Sequence, residues 1–212
     1  MASDLKRKAV RGAGWLGLGQ LASQVMSMTI TVLLARLLSP QAFGLVGMVA
    51  VFTAFLELFQ ELGLSSAIIQ KKDPTEEQLS TVFYINLACG AALSATTFAV
   101  APLIARFYAE PELKRIASLM GLTFFIYSFA HVQGALVRKD LDFGKFVLTR
   151  IASRLVGSGL AIYLALKGYG VYALVWQNLC TAALFSATLW AIVGWRPRAR
   201  PRLKSAGKMI GF

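Results

Sequence analysis

The chain has 212 residues, 57% of them hydrophobic and 15% charged, and its mean hydropathy is positive. That balance excludes an ordinary soluble domain. The apolar residues gather in runs longer than the roughly three turns of a globular helix, so the fold class is all-α, a polytopic membrane protein. A net charge of +12 raises nucleic acid as a partner, but the basic residues sit between the apolar runs, as they do in cytoplasmic loops, and no nucleic acid is expected.

Lys6, Arg7, Lys8 and Arg11 precede an uncharged run over 12–35. The run exceeds a cleavable signal segment and no small-residue cleavage site follows, so it reads as a retained first transmembrane helix. Gln20, Ser23, Gln24, Ser27 and Thr31 recur at spacings of three and four and share one face. That stripe serves either interhelical hydrogen bonding or a solvated cavity. LLSPQ makes the turn, with Pro40 suited to the first turn of a second helix and Arg36 placed to snorkel to the surface.

The stretch 43–78 starts apolar, then carries Glu57 and Glu61 one helical turn apart. Carboxylates on a membrane helix are costly and normally face a polar interior or water, so this helix is expected to line something wet. A third helix is expected over 78–105, ending near Pro102 and the RFYAEPELKR turn, and a fourth over 116–137. The fourth holds the sole histidine, His131, read as a packing or hydrogen-bonding group with a titrating relay as the alternative. Cys89 and Cys180 lie alone in apolar runs and read as packing residues; no metal or cofactor is expected.

After the loop 138–145, Arg150 and Arg154 interrupt helix five one turn apart on one face. Arg154 falls about 16 Å along the helix from Phe143, near mid-bilayer. An arginine there is about 3 kcal/mol unfavourable for insertion, so it requires a partner or an aqueous cavity. Gly157, Ser158 and Gly159 should let another helix approach closely. KGYG turns into helix six over 168–195, where Trp190 and Trp195 approach an interface, and a proline-broken basic linker follows over 196–208.

These assignments put fifteen lysines and arginines inside and five outside, with Arg150 and Arg154 within helix five. The bias predicts six helices with a cytoplasmic N-terminus. Residues 209–212 read as the start of a seventh helix, so the chain is expected to be a fragment comprising a six-helix lobe, 1–195, and its linker, with a genuine six-helix protein as the alternative.

The segments LLARLLSPQAFGLVGMV, ELGLSSAIIQKKDPTEEQLSTVFYINL, APLIARFYAEPELKRIASL, ALVRKDLDFGKF and GYGVYALVWQNL resemble the oligosaccharide-lipid flippases. These form the polysaccharide-export branch of the superfamily that includes the multidrug and toxin exporters. The resemblance implies one lobe of a two-lobed transporter in the bacterial inner membrane, exporting an undecaprenyl-diphosphate-linked sugar repeat by alternating access. It implies membrane lipid, a polysaccharide polymerase and a chain-length regulator as partners. Arg150 and Arg154, with Gln20 and Gln24, would bind the substrate, because a guanidinium fork can hold phosphate oxygens in paired hydrogen bonds. Glu57 and Glu61 would pair with the arginines or carry a coupling proton. An ion-coupled multidrug exporter is the alternative, expected to have a more acidic interior. A membrane transferase would need a convergent acid, base and metal set that the sequence lacks, so no enzyme is expected.

Overall fold

The computed structural model describes residues 2–60, 68–69, 71, 73–140 and 142–199, with side chains from Gly17 onward apart from Leu18 and Phe59. Among them all regular structure is helical: α1 (Ala2–Leu37), α2 (Pro40–Gln60), α3 (Glu76–Phe107), α4 (Glu112–Ser128), α5 (His131–Lys139), α6 (Phe143–Leu166) and α7 (Val171–Ile192). Four of these, α2, α3, α6 and α7, are long and apolar enough to cross a membrane, and the bent pair α4–α5 makes a fifth span if taken as one. The protein is therefore a multi-pass membrane protein. Of the six expected spans, α1 is the one outside that count.

Local chemistry sets most of the boundaries. Ser39 accepts a hydrogen bond from the Ala42 amide at 3.3 Å, and Pro40 takes the first helical position of α2, where no amide partner is required. A capping box opens α3: Thr75 accepts from the Gln78 amide while the Gln78 side chain accepts from the Thr75 amide. Pro102, near which α3 is expected to end at residue 105, lies inside the helix. It removes one amide from the ladder, and the helix continues to Phe107.

α3 ends instead in a left-handed cap, with Ala109 at φ 54°. The Glu110 amide returns to the Ala105 carbonyl at 3.0 Å and the Ala109 amide to that of Arg106 at 3.3 Å. The same pair of bonds closes α6, where Tyr169 and Gly168 donate to Leu164 and Ala165 and the left-handed residue is Gly168.

The expected fourth helix is two. α4 and α5 meet at a bend of 44° around Phe129 and Ala130, and side chains from neighbouring helices take the carbonyls at and before it. Gln60 donates to Phe124 at 3.0 Å, Ser186 to Ile126 at 2.8 Å and Trp190 Nε1 to Phe129 at 2.8 Å. Gln133, fully buried, completes the group: with its amide oriented to suit these neighbours, it donates to the Phe129 carbonyl and accepts from Trp190 Nε1. In an apolar setting these bonds offset the cost of interrupting a helix.

The main apolar core lies at the end that carries the turns near residues 38, 109 and 168. It joins Leu34 and Leu38, Leu45 and Val49, Ile104, Leu113 and Ile116, and Val171 to Val175. At the opposite, linker end a smaller cluster of Leu79, Val82, Phe83 and Val132 packs against Trp190 and Trp195. There the linker is tied down. Arg196 donates to the carbonyls of Trp190, Val193 and Trp195 and stacks over the Trp190 ring, while Trp195 Nε1 and the Arg198 amide both donate to Glu76. Residues 196–199, the described part of the expected basic linker, are thus held on the helical body; the rest of it and residues 209–212 lie outside the described residues.

Candidate functional site, a groove with two clefts

Between the two packed ends, α1, α2, α4, α5, α6 and α7 leave a groove. Helix α6 reaches it because α1 and α7 both come close. Gly19 of α1 sits against Val147, where any side-chain carbon would collide. Gly157 sits against Thr181 and the Gln177 carbonyl of α7, and Ser158 accepts from Gln177 Nε2 at 2.9 Å. The expected close approach holds at Gly157 and Ser158, while Gly159 faces open space.

The inner cleft, about 380 Å³, is lined by Ser27, Thr31, Tyr127, Arg150, Arg154 and the α7 polar groups Gln177 and Asn178. Arg154 donates through Nη2 to Ser27 Oγ at 2.7 Å, and Arg150 through Nη2 to Gln20 Oε1 at 3.0 Å. Each guanidinium has five N–H donors, so both keep donors beyond these neutral partners. A hydrogen bond to a charged group contributes about 1.5–3 kcal/mol, enough to offset much of the cost of placing Arg154 at this depth.

The outer cleft is larger, about 690 Å³, and carries Glu57, Tyr127, His131, Arg138, Phe146 and Arg150 among its walls. Tyr127 and Arg150 line both clefts and join them into one groove. Tyr127 also stands within electrostatic range of Glu57 and Arg154. The close ion pair of α6, Lys145 to Asp142 at 2.7 Å, lies outside both clefts.

Arg150 and Arg154 are thus brought together with Gln20 and Ser27 of the predicted α1 stripe, and Glu57 shares the outer cleft with Arg150. Gln24 is exposed and lines neither cleft, and Glu61 lies outside the described residues. Sequence reasoning missed Tyr127, Arg138, Gln177 and Asn178. The Gln-Asn pair inside an uncharged run was a usable signal, because buried amides in a membrane helix seek partners. Tyr127 had none. Both cysteines are free and half-buried.

A multi-pass helical bundle with a cation-bearing groove defines a class of membrane protein built around a polar path. The family model for polysaccharide biosynthesis proteins matches residues 33–212, and the chain belongs to that family. It is 27% identical over 93% of its length to the succinoglycan biosynthesis transport protein ExoT of Rhizobium meliloti, covering 40% of that protein. It is 26% identical over 92% of its length to the teichuronic acid biosynthesis protein TuaB of Bacillus subtilis, covering 41%. With the lipopolysaccharide biosynthesis protein WzxC of Escherichia coli the identity is 24% over 73% of this chain and 31% of the relative. The chain therefore spans less than half the length of these relatives. No solved structure matches it.

Proposed function

We propose that this chain is the N-terminal, six-helix lobe of a two-lobed flippase that carries an undecaprenyl-diphosphate-linked sugar repeat across the bacterial inner membrane. The observation that carries the reading is the inner cleft, where two arginines from a membrane-spanning helix make their hydrogen bonds to neutral partners. A phosphate about 4 Å from one guanidinium gains roughly 4 kcal/mol at an effective dielectric near 20, and a second arginine one turn away adds to it. The diphosphate binds at Arg150 and Arg154, with Gln177 and Asn178 taking remaining oxygens, and the polyprenyl tail stays in lipid. The basic residues Arg138, Lys139 and Lys145 around the α5–α6 turn, with those of the linker, support a cytoplasmic N-terminus, which puts the outer cleft on the loading side. Glu57 serves as a coupling carboxylate beside Arg150.

A multidrug exporter for cations is less well supported, because Arg138, Arg150 and Arg154 outnumber Glu57 along the described groove. The test is translocation in proteoliposomes of the complete transporter, supplied in turn with the undecaprenyl-diphosphate-linked repeat and with a cationic dye. Movement of the glycolipid alone is expected. Movement of the dye alone would replace this reading with the exporter.

A further inference from the structure

The outer cleft contains an aromatic wall that diphosphate binding leaves unused. Tyr127, Phe185 and Phe146, from α4, α7 and α6, meet edge to face, with ring centres 6.2 Å apart for the first pair and 5.8 Å for the second. Gly134 of α5 backs the wall: a side-chain carbon there would stand 3.2 Å from the Phe146 ring, so the glycine lets that ring lie against the helix. Arg138 is fixed from two sides. Its Nε donates to the Gly134 carbonyl at 3.1 Å, and its guanidinium sits 5.2 Å over the Phe146 ring. Glu57 and Arg150 complete the polar margin.

This combination selects a particular ligand chemistry. An anion alone gains nothing from three rings, and an apolar molecule would desolvate Glu57, Arg138 and Arg150 without compensation. A pyranose satisfies both. Its weakly positive C–H face lies against the negative face of an aromatic ring, while its hydroxyls donate to a carboxylate and accept from guanidinium groups. Size agrees, since the outer cleft has nearly twice the volume of the inner one. Continuity agrees as well, because Tyr127 and Arg150 line both.

We infer that the outer cleft is a saccharide subsite, taking the first sugars of the lipid-linked chain while Arg150 and Arg154 hold its diphosphate. The inference rests on the transport reading above. It is tested by binding two ligands to the purified full-length transporter: undecaprenyl diphosphate alone, and the carrier bearing the native repeat, extracted from the producing cells. The wild type is expected to bind the glycosylated carrier about tenfold more tightly, and Phe185→Leu to remove about fivefold of that advantage while leaving the affinity for the bare diphosphate unchanged. Gly134→Ala, which displaces Phe146 without altering a ring, is the second variant and should act the same way. Equal wild-type affinity for both ligands overturns the subsite and leaves the diphosphate site standing. So does an intact advantage in both variants. If the wild type binds neither ligand, the transport reading falls and the subsite with it.

Discussion

Replacing Gly157 or Gly159 with alanine should have opposite effects, although the two glycines are two residues apart on one helix. At Gly157 the added carbon collides with the Thr181 hydroxyl and stands 3.0 Å from the Gln177 carbonyl oxygen. Thr181 can rotate away, but the carbonyl is backbone, so α6 and α7 must separate by a few tenths of an ångström. Overpacking of this kind costs about 1–3 kcal/mol. The separation also strains the Gln177 to Ser158 hydrogen bond of 2.9 Å, which in a membrane bundle contributes about 0.6 kcal/mol. At Gly159 nothing lies within 4 Å, so alanine brings only its better helix propensity, about 0.5–1 kcal/mol in favour. The assay is thermal unfolding of the purified protein in detergent, read as loss of the monodisperse elution peak. Gly157→Ala should lower the midpoint by several degrees, about 2–4 °C for each kcal/mol in a chain of this size, and Gly159→Ala should hold or raise it. A Gly157→Ala midpoint at or above wild type, or an equal fall for both variants, would refute the close α6–α7 approach that sets Gln177 in the inner cleft.

Two further outcomes follow from the helix ends. Ala109 occupies the left-handed cap position that Gly168 fills at the end of α6, so Ala109→Gly should raise the unfolding midpoint by the equivalent of about 1 kcal/mol, and Gly168→Ala should lower it similarly. No rise for Ala109→Gly would argue against the cap. Asp142 caps α6, and its carboxyl is held below the ordinary value of 3.8, mainly by its hydrogen bond with the Lys145 side chain. A depressed folded-state pKa stabilises the fold above the unfolded value and loses that contribution as pH falls through the folded one. Asp142→Ala should therefore cost about 1 kcal/mol near neutral pH and progressively less below pH 4, measured as midpoint against pH; a pH-independent loss would contradict the charge's part in it.

The helices were legible because long apolar runs leave little choice in a membrane, and Pro40 and Gly168 mark their turns through backbone chemistry alone. Arg150 and Arg154 were legible for the opposite reason, since charges at that depth violate the pattern and demand an explanation. The break between α4 and α5 was not. FFIYSFAHVQGA has neither proline nor glycine at the bend, which is supported by donors far along the chain: Gln60, Ser186 and Trp190. The end of α3 was legible to within two residues, because a membrane helix can lose the Pro102 amide and continue to the RFYAEPELKR turn. Counting charge placed Arg138 in a loop, whereas it lies in α5, and it left unread that Arg138 and Arg196 each fold back onto backbone carbonyls and an aromatic ring. The partners of Arg150 and Arg154 were divided in the same way. The α1 stripe was visible, but only packing against α6 decides that Gln20 and Ser27 receive the donors while Gln24 faces outward.

The affinity of the purified complete protein for undecaprenyl diphosphate, with Arg154 as the native residue, as Gln and as Lys, tests the proposed diphosphate site most directly. A lost charge-assisted hydrogen bond is worth about 1.5–3 kcal/mol, so Arg154→Gln should weaken binding by about 10- to 100-fold, with Arg154→Lys between the two because a point charge replaces the fork. Wild-type affinity in a folded Arg154→Gln protein would contradict the claim that this arginine holds the diphosphate.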